Sequence, residues 1–390
     1  MANLQISKNA EEVLKRRYLA RDAEGNLIET VEGMFRRVAA TIAAADKNYD
    51  PHADTAALAE DFYQLISSLK FMPNSPTLMN AGRPLGQLSA CFVLPVEDSM
   101  GEIFETVKNA ALIHKSGGGT GFSFSRLRQK GATVKSTGGV ASGPVSFMRV
   151  FNMATEAVKQ GGTRRGANMG ILRIDHPDIE EFIHCKTDNA DITNFNISVG
   201  ITEAFMAAVA ANENYDLIDP KSGKAVGQLN AKEVFEEIVD AAWLNGEPGI
   251  IFLDRLNKDN AVPLQGDIES TNPCGEQPLL PFESCNLGSL NLVQMLKQTE
   301  DGYIIDYPLL AQTVKQAVHF LDNVIEANVY PLEKIAEVTR LTRKIGLGVM
   351  GFADMLLYLG IPYNSGEAAE LAEKLMTFIE EEAQQASHML

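Results

Sequence analysis

Short strand-like runs alternate with helix-like periodicities along most of the chain after residue 90, and this alternation restricts the fold more than any other feature. Phe195, Ile197 and Val199 alternate with polar or small residues, which is the pattern of a strand. Residues 249–253 form an apolar run that predicts a strand buried on both faces, whereas residues 314–325 repeat with the period of a helix. Strands that alternate with helices imply an α/β fold with a mainly parallel sheet, either open or closed into a barrel.

The first part of the chain has a different, helical pattern. Apolar residues recur at intervals of three or four from Leu58 to Leu69, so they would form one face of a helix. The length of 390 residues suits two or three domains, or one large α/β domain. We therefore predict a helical N-terminal region over residues 1–80 and an α/β region over residues 81–390.

Capping residues predict where several helices begin and end. Pro144 suits the first turn of a helix, and Thr202 and Asn230 suit the position just before one. Gly246 can close the helix that Asn230 begins. Residues 367–390 carry an apolar helical stripe that runs to the last residues, which we interpret as a helix inside an incomplete protein.

Charge and apolar content argue against several classes of protein. The chain carries 34 Lys and Arg against 51 Asp and Glu, a formal net charge of −17, so long-range repulsion disfavours general binding to nucleic acid or to an anionic membrane. No uncharged apolar stretch reaches the length of about 18 residues that a membrane span needs. The first residues lack the apolar core of a secretory signal, so we expect a cytoplasmic protein.

The four cysteines are Cys91, Cys185, Cys274 and Cys285. Their number and spacing fit neither a secreted disulfide framework nor a zinc site, so we predict no metal site made by these residues. Cys185 follows an apolar helical pattern and is expected to be structural. The neighbouring His184 is expected at the surface or in packing contacts, and not as a metal ligand.

The segment around Cys274 carries the clearest chemical signal. Pro273 and Gly275 flank the cysteine and disfavour a helix or a central strand, so we predict a loop tip. If the tip is extended, Asn272 and Glu276 project to the same face as Cys274. The thiol would then exchange hydrogen or electrons, the carboxylate would act as a general base and the amide would orient a hydroxyl. An ordinary turn with a buried cysteine explains the same residues.

Two further cysteines stand in strand-like contexts. Cys91 opens an apolar run, and Cys285 precedes an alternation through Leu290 and Leu292. Cysteines on neighbouring strands whose Cα atoms are about 4.4–6.8 Å apart can form a disulfide and so supply two electrons. Two unrelated buried cysteines are the alternative.

Two glycine-containing segments suggest contact with anions. Residues 116–121, Ser-Gly-Gly-Gly-Thr-Gly, predict either a loop whose backbone N–H groups approach a phosphate or ribose, or a flexible connector. Residues 159–166, Lys-Gln-Gly-Gly-Thr-Arg-Arg-Gly, form a basic island in an acidic protein. Arginines beside glycines suit recognition of phosphate or carboxylate, and a solvated surface turn is the alternative.

Several long motifs in a fixed order resemble a known family. The Asn-x-Cys-x-Glu segment, the cysteine 11 residues later and the upstream Ser-Ala-Cys-Phe resemble the catalytic set of ribonucleotide reductases. The adenosylcobalamin-dependent, class II branch is the one that four further sequence segments resemble: residues 72–82, 116–128, 137–148 and 158–170. The resemblance runs from about residue 12 to the end. It implies a helical N-terminal region followed by the family's ten-stranded α/β barrel, here incomplete.

The resemblance also implies a role for each residue of the motif. Cys274 would hold a thiyl radical, generated when the cobalt–carbon bond of adenosylcobalamin breaks, and would abstract the ribose 3′ hydrogen. Glu276 would take the 3′-hydroxyl proton, and Asn272 would bind that hydroxyl. Cys91 and Cys285 would deliver the reducing electrons and end as a disulfide, while the 2′-hydroxyl leaves as water.

Substrate and effector positions follow from the same resemblance. Ser75, Ala90 and Gly119 match substrate-binding positions, in addition to Cys91 and the three residues of the Cys274 motif. The basic island resembles the loop that links the allosteric specificity site to the substrate base; its members are Lys159, Gln160, Gly161, Gly162, Arg164 and Arg165.

The implied cofactor and partners are adenosylcobalamin, a ribonucleotide with the diphosphate expected, nucleoside triphosphate effectors, a thioredoxin-like or other external reductant, and a second copy of the chain. The family's phosphate loop and C-terminal cysteine pair do not occur by residue 390. One alternative is therefore a non-catalytic nucleotide-binding and dimerising fragment, or half of a split reductase whose partner chain supplies the rest. Another is the catalytic subunit of the oxygen-dependent branch, which would need a separate radical-generating subunit.

Overall fold

The computed structural model describes residues 6–133, 138–158, 166–188 and 190–390. The chain divides into two compact units. The helical unit consists of the residues up to 90 with Cys285–Tyr330 and Arg343–Leu390. The sheet unit consists of Cys91–Ser284 and Pro331–Thr342.

Helices occur throughout the described residues. In chain order they are α1 (Lys8–Arg17), α2 (Val31–Ala43), α3 (Thr55–Ser67), α4 (Ser75–Asn80), α5 (Met100–Lys115), α6 (Pro144–Ala157), α7 (Ile179–His184), α8 (Glu203–Ala211), α9 (Ala231–Asn245), α10 (Leu253–Lys258), α11 (Tyr307–Ala327), α12 (Glu333–Thr342), α13 (Phe352–Leu359) and α14 (Gly366–Met389). Short 3₁₀ helices cover Ala44–Asn48, Pro263–Gln265 and Leu292–Met295.

Strands are mostly short. They are β1 (Phe71–Pro73), β2 (Cys91–Val93), β3 (Gly119–Ser123), β4 (Asn168–Arg173), β5 (Phe195–Ile201), β6 (Asn214–Ile218), β7 (Ala225–Asn230), β8 (Gly249–Phe252), β9 (Ser270–Thr271), β10 (Pro278–Leu279), β11 (Ser284–Asn291), β12 (Leu296–Thr299), β13 (Gly302–Ile305) and β14 (Ile345–Met350).

The helical unit has one large apolar core. Helices α2, α3 and α11 contribute much of it, with Phe62, Phe71 and Phe320 in edge-to-face ring contacts. Strand β11 pairs with β1 in antiparallel fashion and with β14 in parallel fashion. The predicted helical character of the N-terminal region is confirmed, but helix α3 ends at Ser67. Leu69 adopts a left-handed backbone (φ 57) and lies outside the helix that its spacing predicted.

The sheet unit contains the predicted parallel sheet. Strands β2, β3, β4, β5 and β8 lie side by side in this order, and each neighbouring pair is parallel. Four phenylalanine rings form an aromatic cluster: Phe122, Phe124, Phe151 and Phe195. The prediction of an α/β fold with a helical N-terminal region is therefore confirmed.

One strand is less buried than its apolar sequence predicts. Residues 249–252 form β8, as expected, but Gly249 and Phe252 are exposed and the two isoleucines between them are only half-buried. The prediction of burial on both faces is therefore wrong. Strand β8 stands at the end of the described parallel order and has β5 on one side, which leaves its other edge less covered.

The capping predictions hold. Pro144 is in the first turn of α6, and the Thr202 hydroxyl accepts a hydrogen bond from the Phe205 N–H at the start of α8. Asn230 accepts from two backbone N–H groups at the start of α9, and Gly246 ends that helix with a left-handed backbone (φ 87). The predicted last helix is α14.

Membrane crossing has no support in the described residues. None of their helices combines the length and the apolar character that a bilayer span requires.

Candidate active site

Cys274 lies in a tight turn between strands β9 and β10, which we call the cysteine turn (residues 272–277). The Gly275 N–H donates to the Asn272 carbonyl at 3.1 Å, and the Asn272 N–H donates to the Gln277 carbonyl at 3.1 Å. Gly275 has a left-handed backbone (φ 85), which glycine adopts at little cost. The predicted loop is thus present, but it forms a tight turn and not an extended tip.

Within this turn, the three motif residues differ in their exposure to solvent. Asn272 is buried, whereas Cys274 and Glu276 are exposed. Steps of two place side chains on one face only in extended backbone, so the three side chains do not share the face predicted for them. Their catalytic roles stay predictions.

Asn272 bonds to another predicted site residue. Its side-chain amide donates to the Cys91 sulfur at 3.2 Å, and its side-chain oxygen accepts from the Gln277 N–H at 2.9 Å. Cys91 begins strand β2 and is 3% exposed. One buried side chain therefore ties the cysteine turn to the strand that carries Cys91.

Two glycines of β3 provide the surface on which the turn rests. A Cβ atom on Gly119 would lie 2.6 Å from Pro273 Cγ, and one on Gly121 would lie 1.7 Å from the Thr271 carbonyl oxygen. Neither position has room for a side chain. The glycine-rich segment was predicted as a loop or connector, but residues 119–121 belong to a strand instead. In the structure, these two glycines allow the backbone of the cysteine turn to approach the sheet closely.

A neighbouring residue that sequence reasoning missed also contacts the turn. The Asn196 side-chain amide donates to the Pro273 carbonyl at 2.8 Å. Asn196 is the one residue of β5 that is not buried, in a strand otherwise made of buried residues. Asn196 occupies a polar position of the alternation that predicts the strand, so no separate signal marks this contact.

Behind β3 lies a buried polar network. The Thr120 hydroxyl donates to Asn168 Oδ1 at 2.7 Å and contacts His114 Nε2 at 2.9 Å, while Asn168 Nδ2 donates to the Thr155 hydroxyl at 2.9 Å. Burial lowers the pKa of His114 to about 4, so the imidazole is neutral near pH 7. Thr120 stands between the two glycines under the cysteine turn, so this network fixes the strand that the turn rests on.

In the helical unit, the predicted substrate residue Ser75 begins the short helix α4. The preceding Asn74 caps this helix by accepting from the Thr77 N–H at 3.0 Å. The Ser75 hydroxyl lies 2.8 Å from the Tyr18 hydroxyl, so the two are hydrogen bonded. Tyr18 is a second residue that sequence reasoning missed, because it is 57 positions away in the chain.

Ala90 and Cys285 are joined through the backbone. The Ala90 N–H donates to the Cys285 carbonyl at 3.3 Å, and Cys285 is fully buried in β11. The segment before Ala90 is held by Asn328, whose side chain accepts from the Leu88 N–H at 2.6 Å and donates to the Ser89 hydroxyl at 2.9 Å.

Comparison with known proteins identifies the family. Residues 89–390 match the family described as "Ribonucleotide reductase, barrel domain", and residues 4–86 match "Ribonucleotide reductase, all-alpha domain". The chain belongs to the ribonucleotide reductase family. The barrel match covers most of the chain, and it includes the cysteine turn and the strands beneath it. The α/β fold and the helical region described above are those that the family resemblance implied.

Named relatives of this ribonucleotide reductase family member agree with the family match. It is 50% identical to the vitamin B12-dependent ribonucleoside-diphosphate reductase of Thermoplasma acidophilum, over 100% of this chain and 57% of the relative. It is 48% identical to the protein of the same name from Mycobacterium tuberculosis, over 99% of this chain and 55% of the relative. The ribonucleoside-diphosphate reductase subunit alpha of Chlamydia muridarum is 31% identical, over 100% of this chain and 39% of the relative. The chain thus spans about half the length of the first two relatives.

The remaining residues singled out in the sequence lie outside the cysteine turn. Lys159, Gln160, Gly161, Gly162, Arg164 and Arg165, the predicted allosteric loop, are outside the described residues. Burial raises the pKa of the Cys185 thiol to about 12, as expected for a structural cysteine. His184 Nε2 pairs with Glu237 at 3.2 Å on the surface. The division at residues 80 and 81 stays a prediction.

Proposed function

We propose that the chain is the part of a class II ribonucleotide reductase that carries the radical cysteine, and that its protein reduces ribonucleoside diphosphates to 2′-deoxyribonucleotides for DNA synthesis and repair. The observation that carries this proposal is the anchored cysteine turn: Asn272 bonds to Cys91, and Cys274 stands at the exposed tip. An exposed thiol in the same turn as a buried amide that bonds a second thiol suits radical chemistry on a bound sugar.

Each side chain has one task in the proposed reaction. The Cys274 thiyl takes the 3′ hydrogen atom of the ribose, and the Glu276 carboxylate takes the proton of the 3′-hydroxyl. The 2′-hydroxyl leaves as water. Cys91 and Cys285 supply two electrons and two protons and become a disulfide, and Cys274 returns its hydrogen atom to C3′. The sum is one ribonucleotide and one dithiol converted to one deoxyribonucleotide, one disulfide and water.

A cofactor must start the radical, because no side chain does so unaided. Adenosylcobalamin, when bound, would supply this radical-starting chemistry. The chain's own contribution is an accessible sulfur: Cys274, Gly275 and Glu276 are all exposed, so a bulky group can reach the thiol. Cys91 and Cys285 are buried, which protects the two reducing thiols from the same group.

The proposed partners extend the resemblance. A thioredoxin-like or other external reductant would reduce the disulfide after each turnover. Ser75, Ala90 and Gly119 would contact the nucleotide. Nucleoside triphosphate effectors would act through the basic island, and the chain would form homodimers.

The test is an assay of the full-length or complemented protein with a ribonucleoside diphosphate, adenosylcobalamin and a dithiol reductant. We expect cobalamin-dependent formation of the deoxynucleotide, and loss of product in Cys274→Ser. Cys185→Ser is the matched control and should keep full activity, because its thiol lies outside the turn. Product formation by Cys274→Ser would refute the radical role, and turnover that needs a separate radical-generating subunit instead of cobalamin would assign the chain to the oxygen-dependent branch.

A second candidate is a non-catalytic nucleotide-binding and dimerising fragment, or one half of a split reductase. The chain covers 57% and 55% of two of the relatives. Here the chain alone would bind nucleotide without turnover, and activity would return when a second polypeptide supplies the rest. Full turnover by the 390-residue chain alone would refute this candidate.

A further inference from the structure

We propose that Asn196 is a positioning residue for Cys274: its side-chain amide fixes the peptide bond between Pro273 and Cys274, and thereby the direction in which the thiol points. Nothing in the motif around Cys274 indicates this residue, which lies 77 positions upstream of its partner. The catalytic consequence rests on the proposed function, whereas the structural part does not.

None of the described hydrogen bonds within the cysteine turn uses the Pro273 carbonyl. The Gly275 N–H closes the turn onto the Asn272 carbonyl, and the Gln277 N–H is held by the Asn272 side chain. Pro273 has no N–H to donate. The Pro273 carbonyl points out of these bonds, and the Asn196 amide donates to it at 2.8 Å.

The orientation of this peptide bond determines the type of turn. Type I and type II turns differ by a flip of the central peptide bond, and type II requires a positive φ at the third residue, which here is Cys274. A positive φ is uncommon for a side chain such as cysteine. By holding the Pro273 carbonyl, Asn196 opposes this flip and keeps the Cα–Cβ bond of Cys274 in one direction.

The surroundings make Asn196 well suited to this task. It is carried by β5, a seven-residue strand paired with β4 and β8, so the donor itself is rigid. The Pro273 ring presses against Gly119 of β3, where a Cβ would lie only 2.6 Å away. The proline is thus held on its ring side by a glycine and on its carbonyl side by an amide.

The first test measures amide hydrogen exchange in the protein with Asn196→Asp, which keeps the shape of the side chain but removes the donor. Asn196→Ala, which adds no charge, serves if the carboxylate prevents folding. Asn260→Asp is the matched control, because Asn260 also donates to a loop carbonyl, that of Gly266 at 3.0 Å. We expect exchange at Gly275 and Gln277 to become about fivefold faster, the size expected for loss of one hydrogen bond, while β3 and β4 keep wild-type rates.

Unchanged exchange in the turn would overturn the proposal, and so would a uniform increase that includes β3 and β4, since that would mark a loss of global stability.

The second test measures turnover. We expect the Asn196 variants to lower kcat by at least about tenfold with KM within twofold, as for a misplaced reacting group. A kcat within twofold of wild type would overturn the catalytic consequence. If the wild-type full-length or complemented protein reduces no ribonucleotide, the proposed function fails, and the exchange result still decides whether Asn196 fixes the turn.

Discussion

The close approach between Gly121 and strand β9 gives a sharp prediction about stability. In Gly121→Ala the new Cβ would lie 1.7 Å from the Thr271 carbonyl oxygen, and contacts shorter than 3.0 Å are essentially never seen. The backbone of β9 must therefore move by about 1.3 Å, because a carbonyl oxygen cannot rotate away as a flexible side chain can. Overpacking of this kind costs about 1–3 kcal/mol, and here a rigid neighbour places it at the upper end.

Two other glycines in strands allow the stability cost of Gly121→Ala to be compared. Gly119→Ala should cost less than Gly121→Ala, since its nearest neighbour is the ring of Pro273 at 2.6 Å. Gly227→Ala is the control: this glycine also lies in a strand, and its Cβ would meet Leu217 at an ordinary 3.6 Å. There the free energy of unfolding should stay the same or rise by up to about 1 kcal/mol, because alanine restricts the unfolded chain.

Urea unfolding followed by circular dichroism measures these differences, and alkylation of Cys274 reports on the turn itself. We expect Gly121→Ala to lower the unfolding free energy and to change the alkylation rate of Cys274 in the folded protein. If Gly121→Ala unfolds like Gly227→Ala, the close packing of β9 on β3 is not what holds the turn.

Three further changes test other contacts. The pKa of His114 is lowered to about 4 from its usual 6.5, so the stability that its neutral form contributes is complete above pH 6.5 and is lost as the pH falls toward 4. Urea unfolding at several pH values should show that the unfolding free energy of the wild type falls by about 3 kcal/mol more than that of His114→Gln over this range. Tyr18→Phe removes the hydroxyl bonded to Ser75 and should cost about 1 kcal/mol in unfolding free energy, measured in the same way. At pH 8, iodoacetamide followed by peptide mapping should modify the exposed Cys274 well before Cys185, whose thiol pKa is raised by burial to about 12.

Signals that act over a few residues predicted the fold well. Thr202, Asn230 and Gly246 marked helix ends correctly, because a cap depends on neighbours within one turn of helix. The exposure of β8 was not predictable in the same way. A run of apolar residues shows that a strand can be buried, but the number of strands beside it depends on the whole sheet.

At the candidate site, even more of the structure depends on residues that are distant in the sequence. Pro273 and Gly275 predicted a loop around Cys274, since both residues act on the local backbone. The bond from Asn272 to Cys91 joins residues 181 positions apart, and the glycines of β3 looked like a nucleotide-binding loop because the residues that pack on them are distant in sequence. Contacts of this kind leave no periodicity and no spacing, so a single sequence does not reveal them.

Asn328 has a consequence for the order of folding during synthesis. Its side chain holds Leu88 and Ser89, which lie directly before Ala90, and the first of these bonds spans 240 residues. A ribosome adds about 5–20 residues each second, so residue 328 follows Leu88 by roughly 10–50 s. During that interval the nascent segment before Ala90 has neither of these bonds. It must gain them after α11 has emerged, and contacts that close so long a loop form late.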